Sequence, residues 1–385
     1  MTSSLDRKRR LCEGSQIARL GLIVNPVAGL GGTVALKGTD GEEIVRRALA
    51  LGATPTAPAR TDRALARLTR ARDRLTLVAA AGPMGGELAA GHGFTTELVH
   101  TPGAEHTTAA DTRVAAAEME RRRVELILYA GGDGTTCDIV DVVGTRVPIL
   151  GIPTGVKMHS GTFARNPEAA GEVAADFLAA PEPELREAEV LDVDESALRA
   201  GRLSTRLYGV ARVPADRLRV QMPKTASHAP DGELAALCRV LAAEHGGLVL
   251  YGPGTTNQQI LSHLRVDGTL LGVDAVEDGA LVGADLTERK LLALLDGRRA
   301  RLVLGVVGGQ GALLGRGNQQ LGPEVLRRIG LDRIEIVAAA DKLLGLDPPA
   351  LHVDTGDPEL DRELAGYRRV RVGPARFLMI NVSTL

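Results

Sequence analysis

Leu128 to Val140 reads LYAGGDGTTCDIV, an apolar run that breaks into Gly131-Gly132-Asp133-Gly134 and then resumes. Three glycines around one aspartate give up side-chain packing and raise the entropy lost on folding. A chain that accepts this at the end of a buried-looking strand implies that something must approach its backbone closely. An Asp-Gly pair is also a favoured turn, and a tight turn is the plain reading of these residues. The flanks argue against a hairpin: VELILYA (124–130) reads as a buried strand, and the periodicity places a helix from about Thr135.

Outward from this stretch the same alternation repeats. ARLGLIVN (18–25), LTLVAAA (75–81), TTELVH (95–100) and VPILGIP (147–153) read as strands. A helix is expected from about Asp40, and TTAADTRVAAAEMERRRV (107–124) has helical spacing. Short all-apolar strands alternating with helices argue for a parallel sheet covered on both faces. Ligands of such sheets sit beyond the carboxyl ends of the strands. AAPEPELREAEV (179–190) is proline-rich and acidic and reads as a boundary. Beyond it VLDVDE, RLYGVARVP, LVLYGPG, TLLGVDAVEDGALVGADL and RLVLGVVGG are strand candidates, and Asp278-Gly279 between apolar runs signals a hairpin. The expected fold class is α/β. A Rossmann-like parallel-sheet domain over 17–180 precedes a strand-rich α+β domain over 186–385, the active site lies in the cleft between them, and residues 1–16 form a mobile tail.

Composition narrows the function classes. With 44% hydrophobic residues the chain can bury a large core, and 4 Phe, 4 Tyr and no Trp make that core aliphatic. So few aromatics leave little for base stacking, which argues against a single-strand nucleic-acid binder. A formal net charge of -2 gives no general attraction to polyanions. Cys12, Cys137 and Cys238 are far apart and form no zinc or disulfide pattern. No apolar run approaches membrane-spanning length, so a cytoplasmic protein without a membrane partner is expected.

Three glycine-bearing loops follow strands in the first half: VNPVAGLGGT (24–33), AGGDGTT (130–136) and GIPTGVKMHSG (151–161). Amides at a loop-to-helix junction cradle phosphate oxygens, and three such loops at one sheet edge would form a single crevice. The chain has no G-x-x-x-x-G-K-[ST], and GLGGTV does not fit G-x-G-x-x-G. A carboxylate at the mouth of a phosphate crevice opposes the ligand unless it accepts a proton from an attacking hydroxyl or holds Mg²⁺. Asp133 occupies that position. Asp138, a little over one helical turn later, is a candidate Mg²⁺ ligand, with a solvated helix carboxylate as the alternative. Lys157 is a candidate phosphate partner. Ser160 reads as a hydrogen-bond donor to phosphate or a helix cap, and His159 as a loop histidine. In the second half Thr255, Thr256 and Asn257 open another loop-to-helix junction. GGQGALLGRGNQQL (308–321) presents Gln310, Arg316, Asn318, Gln319 and Gln320 as hydrogen-bonding groups for a sugar or base edge.

GGDGT together with NPxAG resembles the superfamily of NAD kinases, diacylglycerol kinases and 6-phosphofructokinases, and within it the ATP-NAD/AcoX kinase family. The shared stretches include 20–41, 130–144, 148–164, YGPGTT (251–256), GTLLGVDAV (268–276) and GRGNQQ (315–320). The resemblance implies phosphoryl transfer from ATP, another nucleoside triphosphate or polyphosphate to an alcohol, with Mg²⁺, and the 2′-hydroxyl of NAD as the leading acceptor. By it, Asp133 is the acceptor-activating base. Asn25, Gly29, Gly31, Gly32, Gly131, Gly132, Gly134, Thr135, Gly155 and Lys157 hold the donor phosphates. Thr255, Thr256, Asn257, Gln310, Asn318, Gln319 and Gln320 hold the acceptor. It also implies a homo-oligomer. NAD kinases hold the acceptor with an Asn-Glu or Asn-Asp pair, and no Asn here is followed by Glu or Asp. A lipid or other small-alcohol kinase, and a non-catalytic nucleotide sensor, are the alternatives.

Overall fold

The computed structural model describes residues 17–36, 42–103, 107–155, 158–193, 205–216, 218–221, 232–244, 246–307 and 310–384. The tail expected over 1–16 and the phosphate partner Lys157 lie outside them.

The first sheet contains β1 (Ala18–Val24), β2 (Leu75–Ala80), β3 (Thr95–His100), β4 (Leu126–Gly131) and β5 (Ile149–Pro153), in the order β3-β2-β1-β4-β5. Every pairing is parallel. Helices α1 (Glu42–Ala50), α2 (Ala57–Leu68), α3 (Gly86–Gly91), α4 (Ala109–Arg121), α5 (Asp133–Val143) and α6 (Pro167–Ala179) complete the layers. The central strands are buried throughout, so their sequences are continuously apolar rather than alternating. The order reverses between β1 and β4. Chains leaving these two neighbours diverge to opposite faces and open a groove at their carboxyl ends.

The hairpin of β6 (Leu185–Val193) and β7 (Thr205–Pro214) is antiparallel and forms a separate two-stranded sheet. The expected division assigns it to the second domain. Its Ala188, Val190, Ala211 and Val213 are buried in the first core, together with Val220.

The second domain is a nine-stranded mixed sheet. In chain order its strands are β8 (Leu248–Tyr251), β9 (Asp274–Glu277), β10 (Ala280–Gly283), β11 (Ala300–Gly305), β12 (Ala312–Leu314), β13 (Ile334–Val337), β14 (Ala350–Val353), β15 (Gly366–Arg371) and β16 (Phe377–Ser383). In space they run β10-β9-β8-β11-β13-β15-β16-β14-β12. The expected turn at Asp278-Gly279 joins β9 and β10 with φ of 46° and 82°, as a twisted two-residue hairpin requires. Alternate residues face opposite cores. Val249 and Tyr251 pack with α7 (Gly232–Ala243) and α8 (Thr255–Leu264). Leu248 and Leu250 pack on the face covered by α9 (Glu288–Leu294), α10 (Pro323–Ile329), α11 (Ala340–Leu344) and α12 (Pro358–Leu364). Among the described residues no helix is long and apolar enough to cross a membrane.

The two domains meet through polar contacts. Arg60 pairs with Asp354, Arg63 Nη2 lies 3.7 Å from Asp354 Oδ1 while its guanidinium also grips Glu168 of its own domain, and Arg165 Nη1 lies 2.5 Å from His352 Nε2. Asn166 accepts from the Ala169 amide as the cap of α6 and donates to the Thr384 carbonyl at 2.5 Å.

Candidate functional site

The three glycine-bearing turns meet at the carboxyl ends of β1, β4 and β5, at the reversal of strand order. The amide of Asn25 donates to the Ala130 carbonyl at 2.9 Å, and its Nδ2 donates to Thr135 Oγ1 at 3.1 Å, which joins the first turn to the second. The Gly131 carbonyl accepts from Thr154 N, Thr154 Oγ1 and Gly155 N at 3.0–3.3 Å, which joins the second turn to the third. The first and third touch directly. A Cβ on Gly29 would lie 2.3 Å from the Thr154 carbonyl oxygen, and Gly29 has φ +80°, a region that side chains disfavour. Gly131 is required for a different reason: its Cβ would lie 2.5 Å from Cβ of Thr135 in the first turn of α5. Gly31 and Gly32 continue the first turn, and Gly32 lies under the Gln319 side chain, whose Cβ would be 3.0 Å from a Cβ there.

Asp133 is the first residue of α5, with Gly132 before it in extended conformation. Opening amides of a helix have no partner within it, so Gly134 and Thr135 present theirs at the positive end of the dipole. The Asp133 side chain is 5% exposed. Its Oδ2 accepts from the His159 amide at 2.7 Å and its Oδ1 from the Ser160 amide at 3.0 Å. Each carboxylate oxygen has a second acceptor position.

The strand beneath this site carries a polar group that the sequence reading passed over. Tyr129 is fully buried, and its hydroxyl lies 2.6 Å from Thr136 Oγ1 and 2.8 Å from Thr162 Oγ1. Burial raises its pKa, and the two threonine hydroxyls oppose that shift. The network ties β4, α5 and the third turn together. A tyrosine inside an otherwise aliphatic strand was the available signal, since a buried hydroxyl needs partners.

The expected roles of several residues sort differently in space. The Asp138 carboxylate, a candidate Mg²⁺ ligand in the sequence, faces α4 and pairs with Arg113 at 2.8 Å. Burial raises its pKa, with Arg113 opposing. Among the described residues no three His, Cys, Asp or Glu side chains converge as a metal site. Ser160 neither caps a helix nor faces outward, because its Oγ accepts from the Leu191 amide at 3.0 Å. Burial pushes the Cys137 thiol up to about 12, so it stays protonated.

Of the candidate acceptor residues, Gln310 and Gln319 reach the third turn. Gln310 Nε2 donates to the Met158 carbonyl at 3.0 Å, and Gln319 Nε2 lies 3.5 Å from the Gly155 carbonyl. Asn318 and Asn257 instead brace their own domain. Asn318 accepts from the Gly315 amide and donates to the Leu313 carbonyl. Asn257 donates to the carbonyls of Gly252 and Val303 at 2.7 and 3.0 Å. Thr255 and Thr256 open α8 beside it, with the Thr256 carbonyl facing the Cys238 thiol. Gln320 is buried. Arg316 enters the first domain: it donates to the carbonyls of Ala164 and Arg165 and to Gln221 Oε1 at 2.7–2.9 Å.

Residues 20–182 match the family model of the ATP-NAD kinase N-terminal domain, and residues 248–382 match that of the ATP-NAD kinase C-terminal domain. Together the two matches span most of the chain. No curated protein matches it.

Proposed function

Because the chain belongs to the ATP-NAD kinase family, we propose that it transfers a phosphoryl group from ATP or polyphosphate to the 2′-hydroxyl of NAD, giving NADP. The observation that carries this reading is the meeting of three turns at the sheet's switch point with Asp133 at the head of α5. The amides of 131–135 and the first turn around Gly29, Gly31 and Gly32 receive the donor's phosphates, with Asn25 and Gly155 holding the turns in register. Phosphoryl transfer asks a protein mainly for position and charge stabilisation, and helix-terminal amides supply both without reorganising. Asp133, aimed by the His159 and Ser160 amides, accepts the proton of the attacking hydroxyl. Gln310 and Gln319, carried by the second domain, line the acceptor side.

The described residues offer Mg²⁺ no ligand set of their own. Such ions commonly stay with the phosphates they neutralise and with several waters. Lys157 is proposed as a further phosphate partner on its position in the sequence alone.

The test is NADP formation from NAD, comparing ATP with polyphosphate. NADP from either donor supports the reading. ADP release with a lipid or another alcohol but not with NAD would replace NAD as acceptor, a reading favoured by the missing Asn-Glu or Asn-Asp pair. Tight nucleotide binding with no phosphorylated product from any acceptor would make the protein a sensor.

A further inference from the structure

Segment 158–165 belongs to no helix or strand beyond single bridges, yet it is tied from three sides. From the sheet, Asp133 accepts the amides of His159 and Ser160. From the β6–β7 side, the Glu189 backbone carbonyl accepts from the Gly161 amide at 2.9 Å, and Gln221 Nε2 donates to the Ser160 carbonyl at 2.8 Å. From the second domain come Gln310 and Arg316. Arg316 Nη2 donates to the carbonyls of Ala164 and Arg165 at 2.9 and 2.8 Å, while Nη1 reaches Gln221 Oε1 at 2.7 Å and contacts Met158 Sδ at 3.7 Å.

All four of these acceptors are neutral. At the same seam Arg60 and Arg63 both face the Asp354 carboxylate. Burial lowers the Arg316 pKa to about 10, with Asp354 and Asp133 opposing and Arg60 and Arg165 reinforcing the shift. A cation held against carbonyls is a poor choice if the seam only needs to be closed. It is a good one if the two adjacent carbonyls on one arm of a rigid planar fork must be held at a fixed place relative to Gln221 on the other.

We infer that Arg316 is a positioning residue, which sets segment 158–165 and, through the His159 and Ser160 amides, aims the Asp133 carboxylate. This rests on the kinase reading above, and it makes docking of the second domain a condition for a correctly oriented base. Misplacement of a reacting group by about an ångström lowers rates by about 100-fold.

The experiment compares Arg316→Lys and Arg316→Gln with Arg63→Gln, a seam variant whose ion pairs are with Glu168 and Asp354 rather than with the segment. It measures kcat and KM for ATP and NAD, thermal midpoint, and hydrogen exchange of the His159 and Ser160 amides. Both Arg316 variants are expected to lose kcat by about 10- to 100-fold, with a smaller change in the ATP KM, and to exchange those amides faster. Arg63→Gln is expected to lower the midpoint without lowering kcat. Wild-type kcat in both Arg316 variants, or kcat lost equally in Arg63→Gln at matched stability, overturns the inference alone. A wild-type protein that makes no phosphorylated product overturns the kinase reading. In that case unchanged exchange in the Arg316 variants still refutes the hold on the segment, and faster exchange leaves that hold standing without a catalytic role.

Discussion

Replacing Asp133 by asparagine separates two jobs that one carboxylate performs. The first is structural. Its two oxygens accept the amides of His159 and Ser160 at 2.7 and 3.0 Å. An asparagine has one acceptor oxygen and one NH₂, so in either orientation one buried N–H faces another donor. Losing one charge-assisted bond of this kind costs about 1.5–3 kcal/mol. Loss of negative charge at the first residue of α5 removes about 0.3–1 kcal/mol more. The second job is the proposed base, whose loss lowers turnover by about 10²–10⁴-fold, or about 3–5 kcal/mol of barrier. Donor binding is expected to persist, since the amides of 131–135 remain. The assay is NADP formation by folded protein across pH, with denaturant unfolding alongside it. A variant without its base has a residual rate that climbs with pH as the hydroxyl ionises unaided, whereas a merely loosened segment keeps the wild-type pH profile. Turnover within tenfold of wild type, or a lost rate with an unaltered pH profile, refutes the assignment of Asp133 as base.

Gly29→Ala places a Cβ 2.0 Å from Thr56 Oγ1 and 2.3 Å from the Thr154 carbonyl oxygen at φ +80°. It is expected to destabilise by at least about 1–2 kcal/mol from backbone strain and to raise the donor KM more than the acceptor KM; an unaltered donor KM counts against the cradle. Asp138→Asn breaks an ion pair with half-exposed Arg113 worth about 0–1 kcal/mol, and is expected to leave turnover and Mg²⁺ dependence unchanged. A raised Mg²⁺ requirement would restore Asp138 as a ligand. The hydrogen bond from His100, with Thr108 assisting, holds the Asp111 carboxyl below its ordinary value. A lowered carboxyl contributes stability above its unfolded pKa and loses it as pH falls through the folded value. Stability is therefore expected to decline from about pH 4 downward, and Asp111→Asn to remove that part of the decline. An identical acid slope in the variant would refute the assignment.

The strands of the first sheet were legible because they are short, apolar and widely spaced. Ala18–Val24, Leu75–Ala80 and Thr95–His100 follow the written runs within a residue. The helix after GGDG begins at Asp133 rather than near Thr135, because a glycine-flanked carboxylate serves as a first-turn residue once its oxygens are paired elsewhere. The composition shift near 180 says nothing about which core a hairpin covers. Only space shows that Val190 and Val213 face the first domain. Side-chain direction was the other gap. The sequence leaves Asp138 between a Mg²⁺ ligand and a solvated helix carboxylate, and in space it pairs with Arg113 on α4. Contacts such as those of Gln221 with Ser160 and Arg316 join residues far apart in the chain, and no local pattern announces them.

In the nine-stranded sheet β13 pairs with β15, β15 with β16, and β16 with β14. The two written last are therefore the keystone of an arch whose flanks were laid down earlier. Without them β13 and β14 become bare rims, each carrying unpaired backbone groups that invite association with other chains. Removing these two strands would divide the sheet into two parts, each with an exposed edge. The parallel sheet, with its own core and the hairpin that seals it, keeps a complete interior of its own.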